Sequence, residues 1–478
     1  IAQACSFSFF TNKTCTRRTF ALFFGNRGFF PGELIAAARK ELVRRVTEQG
    51  FDVLLQQENA TRYGAVETAA EGRIYARSLK ENEGRYQGVI LCLPNFGDEN
   101  GASEALRNCG VPIYLLACPD ELDKMDFSQR RDSFCGKLSI MDVFSQFGIP
   151  FTAWAPHTLA MTSKTFAGQL QEFAAVCRVV HTLRQCRIGA IGARPTAFKT
   201  IRFDETTLQK YGVTTEVFDN SDLLLAMKRI SDVDVKAKIE TLVRYADFSR
   251  VPADKVATLS RLSLALDRFI EEYELDALGL RCWFDLEQTL HVSPCVVLSE
   301  LNDRKFPAAC ELDIGNAIAM LALRAAADAP ATCLDWNNNY GDNPEQCILF
   351  HCGPVPQSLM AARGEVVDHP MFAKALGAGS AFGCNVGRIR PGDFTFASTT
   401  TLDGELRFYA GSGEFTHDHL PPEFFGCGGV AKIENLQRKI NRIGYAGYRH
   451  HVGVAFGRWE RAIREAFQRY LRYRETEL

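Results

Sequence analysis

The N-terminal part of the chain alternates short apolar runs with an amphipathic helical pattern, and this alternation constrains the fold most. The apolar runs are residues 19–25 (T-F-A-L-F-F-G) and 51–55. Between them, apolar residues recur at helical spacing over residues 33–49, and Gly50 is placed to end the helix. Continuous apolar runs joined through a helix are typical of parallel strands that are buried on both faces. The sequence therefore predicts a βαβ unit here.

The same alternation continues along the chain. Further apolar runs of strand length are separated by stretches that are long enough for right-handed crossovers. Over residues 253–273, apolar side chains line one face of a helical pattern. The sequence therefore predicts an α/β fold with two doubly wound, Rossmann-like domains. Their strand candidates are residues 88–94, 111–118 and 148–154 in the first domain, and 187–194, 213–218 and 277–283 in the second.

After about residue 345 the pattern changes to short alternating runs between glycine turns. Asp403-Gly404 separates two of these runs and is a strong hairpin signal. This predicts a mainly antiparallel, β-barrel-like C-terminal domain that closes with an amphipathic helix over residues 458–473. The strand candidates are residues 347–351, 381–386, 393–401 and 405–410. The predicted domains are residues 19–185, 186–330 and 331–478, preceded by an unplaced segment, residues 1–18.

Composition excludes several classes of protein. A formal charge of −2 leaves no electrostatic footprint for nucleic acid, and no apolar run approaches the roughly 20 residues that span a bilayer. The 16 cysteines are scattered singly without a C-x-x-C pair, which predicts reduced thiols in a cytoplasmic protein. For Cys427 with Gly428-Gly429, a turn is at least as plausible as a reactive site. Residues 1–18 lack acidic side chains, which fits a remnant of a targeting segment or a frayed or added terminus.

Glu311, Asp335 and His351 lie at the ends of short apolar runs. A buried carboxylate must be paired, protonated or bound to a cation, and hard divalent ions prefer carboxylates with one or two imidazoles. The pair His450-His451 is the best source of another imidazole. From residues alone, a metal site and a set of satisfied core polar groups stay open as alternatives. His417 and His419 could also bind a metal, but their proline-bounded polar loop favours exposure.

Gly189-Ala190-Ile191-Gly192 follows a predicted strand but lacks the G-x-G-x-x-G spacing of dinucleotide-binding loops. A tight turn is the better interpretation. A nicotinamide-dependent dehydrogenase is therefore not supported.

Six segments resemble the L-fucose isomerase and L-arabinose isomerase superfamily, and most closely its bacterial fucose-isomerase-like branch. The resemblance covers residues 19–478, and its segments are F-F-G-N-R-G-F-F-P, L-P-N-F-G-D-E-N-G-A, R-R-D-S-F-C-G-K-L-S-I, A-C-E-L-D, H-C-G-P-V-P and R-H-H-V. It implies a metal-dependent aldose–ketose isomerase with two doubly wound domains and a β-barrel-like domain. It also implies a homo-oligomer, a hexamer or similar, with active sites near subunit interfaces.

The resemblance implies Mn²⁺, or another divalent ion such as Mg²⁺ or Co²⁺, held by Glu311, Asp335 and His451. His451 is preferred over His450 because the family ligand matches the second position of the pair, and because Gly457 follows it by six residues as in the fucose branch. The arabinose branch uses an additional histidine that matches His351, whereas the fucose branch does not.

In the mechanism that the resemblance implies, Glu311 and Asp335 flank the C1–C2 bond of the sugar. One removes the C2 proton and the other handles the hydroxyl proton, through an enediolate. Arg27, Trp283 and Asn302 are the hypothesised sugar-contacting residues, since they offer a charge, an aromatic face and an amide on strand-end loops. The alternative is a sugar-binding or regulatory protein that keeps the scaffold without turnover, although such a protein has no need of two acids at a metal.

Overall fold

The computed structural model describes residues 18–478, so the predicted N-terminal segment, except Arg18, lies outside the described residues. The chain forms two compact units. The small unit comprises residues 18–181 and Glu465–Arg472, and the large unit comprises Thr182–Arg464 and Tyr473–Leu478.

The small unit is a parallel α/β sheet. Its strand order is β2-β1-β3-β4, and all three neighbouring pairs are parallel. Every residue of β3 is buried, as expected for a strand covered on both faces. Asp98 caps the helix that follows β3, because its side chain accepts a hydrogen bond from the Gly101 amide at 2.7 Å. The elements are β1 Thr19–Phe24, α1 Glu33–Glu48, β2 Asp52–Leu55, α2 Ala69–Glu81, β3 Gly88–Leu93, α3 Glu99–Leu106, β4 Ile113–Ala117, α4 Ser133–Gln146 and α5 Lys164–Leu183.

The first part of the large unit is a second parallel α/β sheet, with strand order β6-β5-β7-β8. This confirms the prediction of two doubly wound sheets. The elements are β5 Cys186–Ile191, α6 Glu205–Lys210, β6 Val213–Phe218, α7 Asn220–Lys228, α8 Asp232–Tyr245, α9 Ala253–Glu272, β7 Ala277–Leu280, α10 Asp285–Leu290, α11 Cys295–Asp303, β8 Ala308–Cys310 and α12 Ile314–Ala327.

The second part of the large unit is a closed antiparallel barrel of six strands, which confirms the predicted barrel-like domain. The ring runs β9-β16-β13-β14-β15-β10, and β10 pairs with β9 to close it. The predicted hairpin at Asp403-Gly404 joins β13 to β14, with Leu402 opposite Glu405. The elements are β9 Ala331–Asn339, β10 Gln346–His351, β11 Glu365–Asp368, α13 Pro370–Leu376, β12 Phe382–Arg388, β13 Gly392–Leu402, β14 Glu405–Phe415, β15 Cys427–Lys432, α14 Leu436–Tyr445, β16 His451–Phe456, α15 Glu460–Glu465 and β17 Arg474–Glu475.

Three local predictions were wrong. Residues 148–154 make a single bridge, from Thr152 to Tyr114 of β4, because Pro150 has no amide hydrogen to extend the pairing. Cys427 begins strand β15 rather than a turn, since neighbours on both sides pair with this glycine-rich segment. The terminal helix is shorter than predicted: after α15 the chain continues as a π-helical turn, Ala466–Tyr470.

Helix α12 connects the second α/β sheet to the barrel. It is buried over nearly its whole length and packs against β7, β9, β13 and β16. Glycine and alanine occupy much of it, and such small side chains permit close packing on the barrel strands. None of the helices within residues 18–478 combines the length and the apolar character that crossing a bilayer requires.

Candidate metal centre

Glu311 is positioned by a tight turn between β8 and α12. Both Glu311 and Leu312 have left-handed backbone conformations, with φ of 61° and 67°. This region is unfavourable for residues other than glycine, and such strain is concentrated at functional sites. The turn is held by a hydrogen bond from the Leu312 amide to the Leu280 carbonyl at 3.2 Å. The Glu311 side chain is thereby fixed in a buried position.

The barrel supplies the other candidate ligands from three neighbouring strands. Asp335 lies in the middle of β9, directly opposite His451, the first residue of β16. On the other side of β9, Phe350 of β10 lies opposite Asp335, and His351 follows it. The strand register, rather than proximity in sequence, therefore brings these side chains together.

The Nε2 atom of His451 is the centre of the cluster. It lies 3.1 Å from Oε2 of Glu311 and 3.3 Å from Oδ1 of Asp335. His351 is also adjacent, since its ligand atom and those of Glu311 and His451 all lie within 4.8 Å of one another. The structure thus brings together the four residues that the sequence indicated.

Asp313 orients the His451 ring, and sequence reasoning missed it. Its Oδ2 lies 2.9 Å from His451 Nδ1, and its Oδ1 accepts a hydrogen bond from Arg449 Nη1 at 2.9 Å. Burial acts to raise the pKa of Asp313, but the Arg449 guanidinium and the His451 ring hold that pKa well below its usual range. The ionised carboxylate therefore accepts from Nδ1–H of His451, which leaves the Nε2 lone pair directed at the cluster.

Gly315 makes room for this arrangement. A Cβ atom at this position would lie 2.0 Å from Arg449 Nη1 and 2.5 Å from the Thr399 carbonyl oxygen. Any larger residue would displace the guanidinium from Asp313. The available sequence signal was A-C-E-L-D-I-G-N, in which an acid two residues after a predicted ligand also caps a helix: the Asp313 side chain accepts from the Asn316 amide at 3.0 Å.

The cluster fits a hard divalent cation. Among residues 18–478, the buried polar atoms without a hydrogen-bond partner include Glu311 Oε2, Asp335 Oδ1 and His351 Nε2. Burial lowers the pKa of His451, but Asp313 and Glu311 outweigh it and raise that pKa well above its usual value. The site therefore attracts positive charge, and two carboxylates with imidazole nitrogens are a donor set that Mn²⁺ and similar ions accept.

Comparison with known proteins identifies the family of this chain. The N-terminal domain of the fucose/sulfoquinovose isomerase family matches residues 21–184, and the C-terminal domain of L-fucose isomerase matches residues 349–477. Together these matches cover more than half of the chain. The chain belongs to the fucose isomerase-like family.

Relatives within this family include sulfoquinovose isomerases. Those of Priestia aryabhattai and Priestia megaterium are each 25% identical over 286 residues, which is 59% of this chain and 62% of theirs. The sulfoquinovose isomerase of Alkalicoccus urumqiensis is 25% identical over 323 residues, covering 58% of this chain and 72% of that protein. The chain thus spans less than two thirds of the length of the two Priestia proteins.

The two family domains contain His351 and His451, whereas Glu311 and Asp335 lie between the matched segments. The placement of both carboxylates at the His451 ring therefore rests on the geometry of this chain.

His351 and His450 occupy different positions at the edge of the cluster. Nδ1 of His351 accepts a hydrogen bond from the Cys352 amide at 2.9 Å, which places the ring proton of neutral His351 on Nε2. In this tautomer Nε2 carries a proton, so His351 is better suited to donate a hydrogen bond to a carboxylate than to bind a metal ion through Nε2. His450 is exposed, and its Nε2 lies 3.8 Å from Asp335 Oδ1. His417 and His419 are exposed, as predicted.

Aromatic rings form one wall beside the cluster. The Phe198 ring lies 4.7 Å from Trp283, 6.1 Å from His450 and 6.5 Å from His451, measured between ring centroids. Trp283, one of the hypothesised sugar contacts, is thereby close to the candidate metal ligands. Phe198 was missed, because nothing in its local sequence marks it.

The other two hypothesised sugar contacts lie elsewhere. Asn302 is buried, and its amide bonds to backbone groups of Ala308 and Pro354 at 2.7 to 3.1 Å. Arg27 belongs to the small unit, where it pairs with Glu99 and stacks over the Phe96 ring at 4.2 Å. Their contact with a sugar remains a prediction.

Proposed function

We propose that this protein is an aldose–ketose isomerase that uses a divalent ion, preferably Mn²⁺, held by Glu311, Asp335 and His451. The single observation that supports this most is the pair of buried carboxylates at one imidazole nitrogen whose tautomer is fixed by Asp313. When bound, the ion supplies Lewis-acid polarisation of the two adjacent sugar oxygens.

The two carboxylates perform the proton transfers of isomerisation. A proton must leave C2 and reach C1, while another moves between the two oxygens, and a general acid–base pair at opposite ends of the C1–C2 bond can do both. Burial and the neighbouring Glu311 raise the pKa of Asp335, while the His351 and His451 rings lower it; the net shift is upward. A carboxyl with a raised pKa is a better base than an ordinary aspartate, which suits it to removing a carbon-bound proton.

The surroundings position the sugar. The Phe198–Trp283 wall offers apolar ring faces to one side of the pyranose or open-chain carbons, and His450 offers a polar group at the exposed edge. The His351 ring acts to lower the pKa of Asp335 and so favours the ionised form of that carboxylate. This division of roles leaves the two acids as the groups that touch the reacting carbons.

We infer that the substrate is an aldose of the fucose or sulfoquinovose type, with a modified C6. Support comes from the family domains and from the three relatives, which are named sulfoquinovose isomerase. The family resemblance also predicts a homo-oligomer, which light scattering on the purified protein would measure.

The test is solvent-deuterium exchange. Protein treated with chelator and reloaded with Mn²⁺ is incubated in D₂O with a panel that includes L-fucose, L-arabinose, glucose and its 6-sulfonated form sulfoquinovose. We expect deuterium at C2 and ketose formation with at least one member, and loss of both after chelation. Absence of exchange with every aldose would refute the isomerase.

Matched variants assign the roles. Glu311→Gln and Asp335→Asn each remove one negative charge without changing side-chain size, and we expect each to abolish exchange while the circular dichroism stays unchanged. Glu287→Gln is the control, because Glu287 is a buried carboxyl of the same unit that hydrogen-bonds Ser293 at 3.2 Å outside the cluster. Near-normal exchange in Glu311→Gln or Asp335→Asn would remove that residue from the mechanism.

A further inference from the structure

Four cysteine sulfurs lie in a row next to the candidate metal ligands. Cys282 Sγ lies 3.3 Å from Cys310 Sγ, and Cys295 Sγ lies 3.6 Å from Cys352 Sγ. Cys310 and Cys352 connect these pairs, since their sulfurs and a ring nitrogen of His351 lie within 4.8 Å of one another. Cys282, Cys295 and Cys310 are buried, and Cys352 is half-buried. We call these four residues the sulfur cluster.

Different elements converge to build the sulfur cluster. Cys310 ends β8 directly before Glu311, and Cys352 follows β10 directly after His351. Cys295 is the first residue of α11, and Cys282 lies just beyond β7. The sequence predicted only isolated reduced thiols, because these residues are far apart along the chain.

The spacing of the sulfurs suits a metal ion. Ligands at about 2.3 Å around a tetrahedral zinc ion place neighbouring sulfurs about 3.8 Å apart. The Cys282–Cys310 and Cys295–Cys352 separations of 3.3 and 3.6 Å lie within about 0.5 Å of this value. The sulfurs of Cys310 and Cys352 lie within 4.8 Å of each other and of a ring nitrogen of His351. A second overlapping group of possible ligand atoms, from Cys282, Cys310 and Glu311, adds a carboxylate oxygen within 4.8 Å.

We propose that the sulfur cluster contains a second metal site, which binds a thiophilic divalent cation such as Zn²⁺ or Cd²⁺ through Cys310 and Cys352 with a ring nitrogen of His351 as the third ligand atom. Thiolates select such ions, whereas the carboxylate and imidazole set next to it accepts hard ions. Binding forms metal–sulfur bonds, breaks the S–H bonds and releases the thiol protons to solvent, with no change of oxidation state.

The test uses Cd²⁺ after the proposed Glu311, Asp335 and His451 site has been filled with Mn²⁺. Protein is treated with chelator, kept in a phosphine reductant, saturated with Mn²⁺ and titrated with Cd²⁺, while thiolate-to-cadmium absorbance in the ultraviolet and bound metal by elemental analysis are followed. We expect one equivalent of Cd²⁺ with this absorbance and retention of Mn²⁺. Cadmium that binds without thiolate absorbance, or no cadmium binding, would overturn the proposal.

Variants locate the site, and Cys135→Ser serves as the background because Cys135 is an exposed thiol. Cys310→Ser and Cys352→Ser should each lose the absorbance, whereas Cys347→Ser, a buried cysteine of β10 outside the cluster, should keep it. Equal absorbance in all three variants would overturn the proposal. If the serine variants fail to fold, Co²⁺ bound to the unmodified chain must still show sulfur-to-cobalt charge transfer, and its absence would be decisive.

The proposal is independent of the proposed isomerase, because cadmium absorbance requires no turnover. Failure of deuterium exchange would leave the sulfur site intact, and failure of cadmium binding would leave the isomerase intact.

Discussion

Asp313→Asn is the most informative single change, because it alters the hydrogen-bond partner of the His451 ring and leaves both proposed carboxylate ligands in place. Asparagine keeps the size of the side chain but replaces one oxygen with an amide NH₂. The Asp313 carboxylate accepts from His451 Nδ1 at 2.9 Å, Arg449 Nη1 at 2.9 Å, and the Asn316 side chain at 2.7 Å. In either orientation of the asparagine amide, its NH₂ group therefore faces another hydrogen-bond donor, and at least one of these hydrogen bonds is lost.

The magnitude follows from the hydrogen bonds that are lost. Loss of a partner that orients a histidine ligand typically weakens metal affinity 10- to 100-fold, or about 1.4 to 2.7 kcal/mol. With Mn²⁺ at 100 times the unmodified Kd, bound metal stabilises the unmodified protein by about 2.7 kcal/mol. In the variant the same concentration should contribute only about 1.4 kcal/mol after a tenfold loss, or about 0.4 kcal/mol after a hundredfold loss.

The assay combines calorimetric Mn²⁺ titration with unfolding in urea, with and without metal, from pH 6 to 9. In the unmodified protein the pKa of His451 is raised well above its usual value, so a proton competes with the metal and affinity increases with pH. Asp313→Asn removes one cause of that raised pKa. The pH at which affinity levels off should therefore move downward, an effect that a purely structural defect would not produce.

Asp267→Asn is the control for loss of a buried ion pair. Asp267 pairs with Lys238 at 3.5 Å and Arg304 at 2.7 Å, away from the metal centre. We expect this variant to lose stability while Mn²⁺ affinity stays unchanged. If folded Asp313→Asn bound Mn²⁺ with unmodified affinity and pH dependence, the assignment of Asp313 as the residue that orients His451 would be wrong.

Three further changes test other parts of the structure. Gly315→Ala places a Cβ 2.0 Å from Arg449 Nη1, so calorimetry should show weakened Mn²⁺ binding. The control is Gly444→Ala, whose Cβ meets no atom within 4 Å and should leave the affinity unchanged. Equal affinities in the two variants would contradict the packing argument. Burial raises the pKa of Glu287 from 4.5 to about 8, so the folded state holds a proton that the unfolded chain loses. Its contribution to the free energy of unfolding is complete below about pH 4.5 and is lost as pH rises to about 8, by up to about 1.4 kcal/mol per pH unit. Glu287→Gln should therefore flatten the pH dependence of the free energy of unfolding in urea between these values. An unchanged slope would contradict this assignment of Glu287. Phe198→Ala should raise the KM for the sugar severalfold with little change in kcat, and the reverse pattern in steady-state kinetics would show that the ring does not position substrate.

The sequence was sufficient to predict the sheets, because local patterns dictate them. Residues 213–218 form the strand β6 at the predicted bounds, and Asp403-Gly404 forms the predicted hairpin, since alternation and turn chemistry are properties of adjacent residues. The wrong predictions also came from local sequence patterns, but at these positions tertiary contacts determined a different structure. Gly428 and Gly429 next to Cys427 indicate a turn when considered alone, but pairing of this segment with β10 and β12 makes it part of a strand.

The site was harder to predict from residues, because its parts meet only through barrel closure. Asp335 faces His451 across a strand pair whose members are more than a hundred positions apart. Spacing along the chain could not distinguish His450 from His451, whereas the strand register directs His451 into the cluster and leaves His450 exposed. The sulfur cluster escaped detection for the same reason.

Helix α12 fixes the separation of the two carboxylates. Glu311 precedes this helix and Asp335 follows it, so the separation of the two acids depends on how the helix is placed between the second sheet and the barrel. Sliding by one residue would move its ends by about 1.5 Å and rotate its side chains by about 100°. Burial of almost every residue of α12 opposes such a movement, as does the Asp313 contact with Arg449 and His451 at its first turn. The packing of one helix therefore resists the charge repulsion between the acids, and under the proposed function this preorganisation would let a cation bind without rearrangement of the backbone.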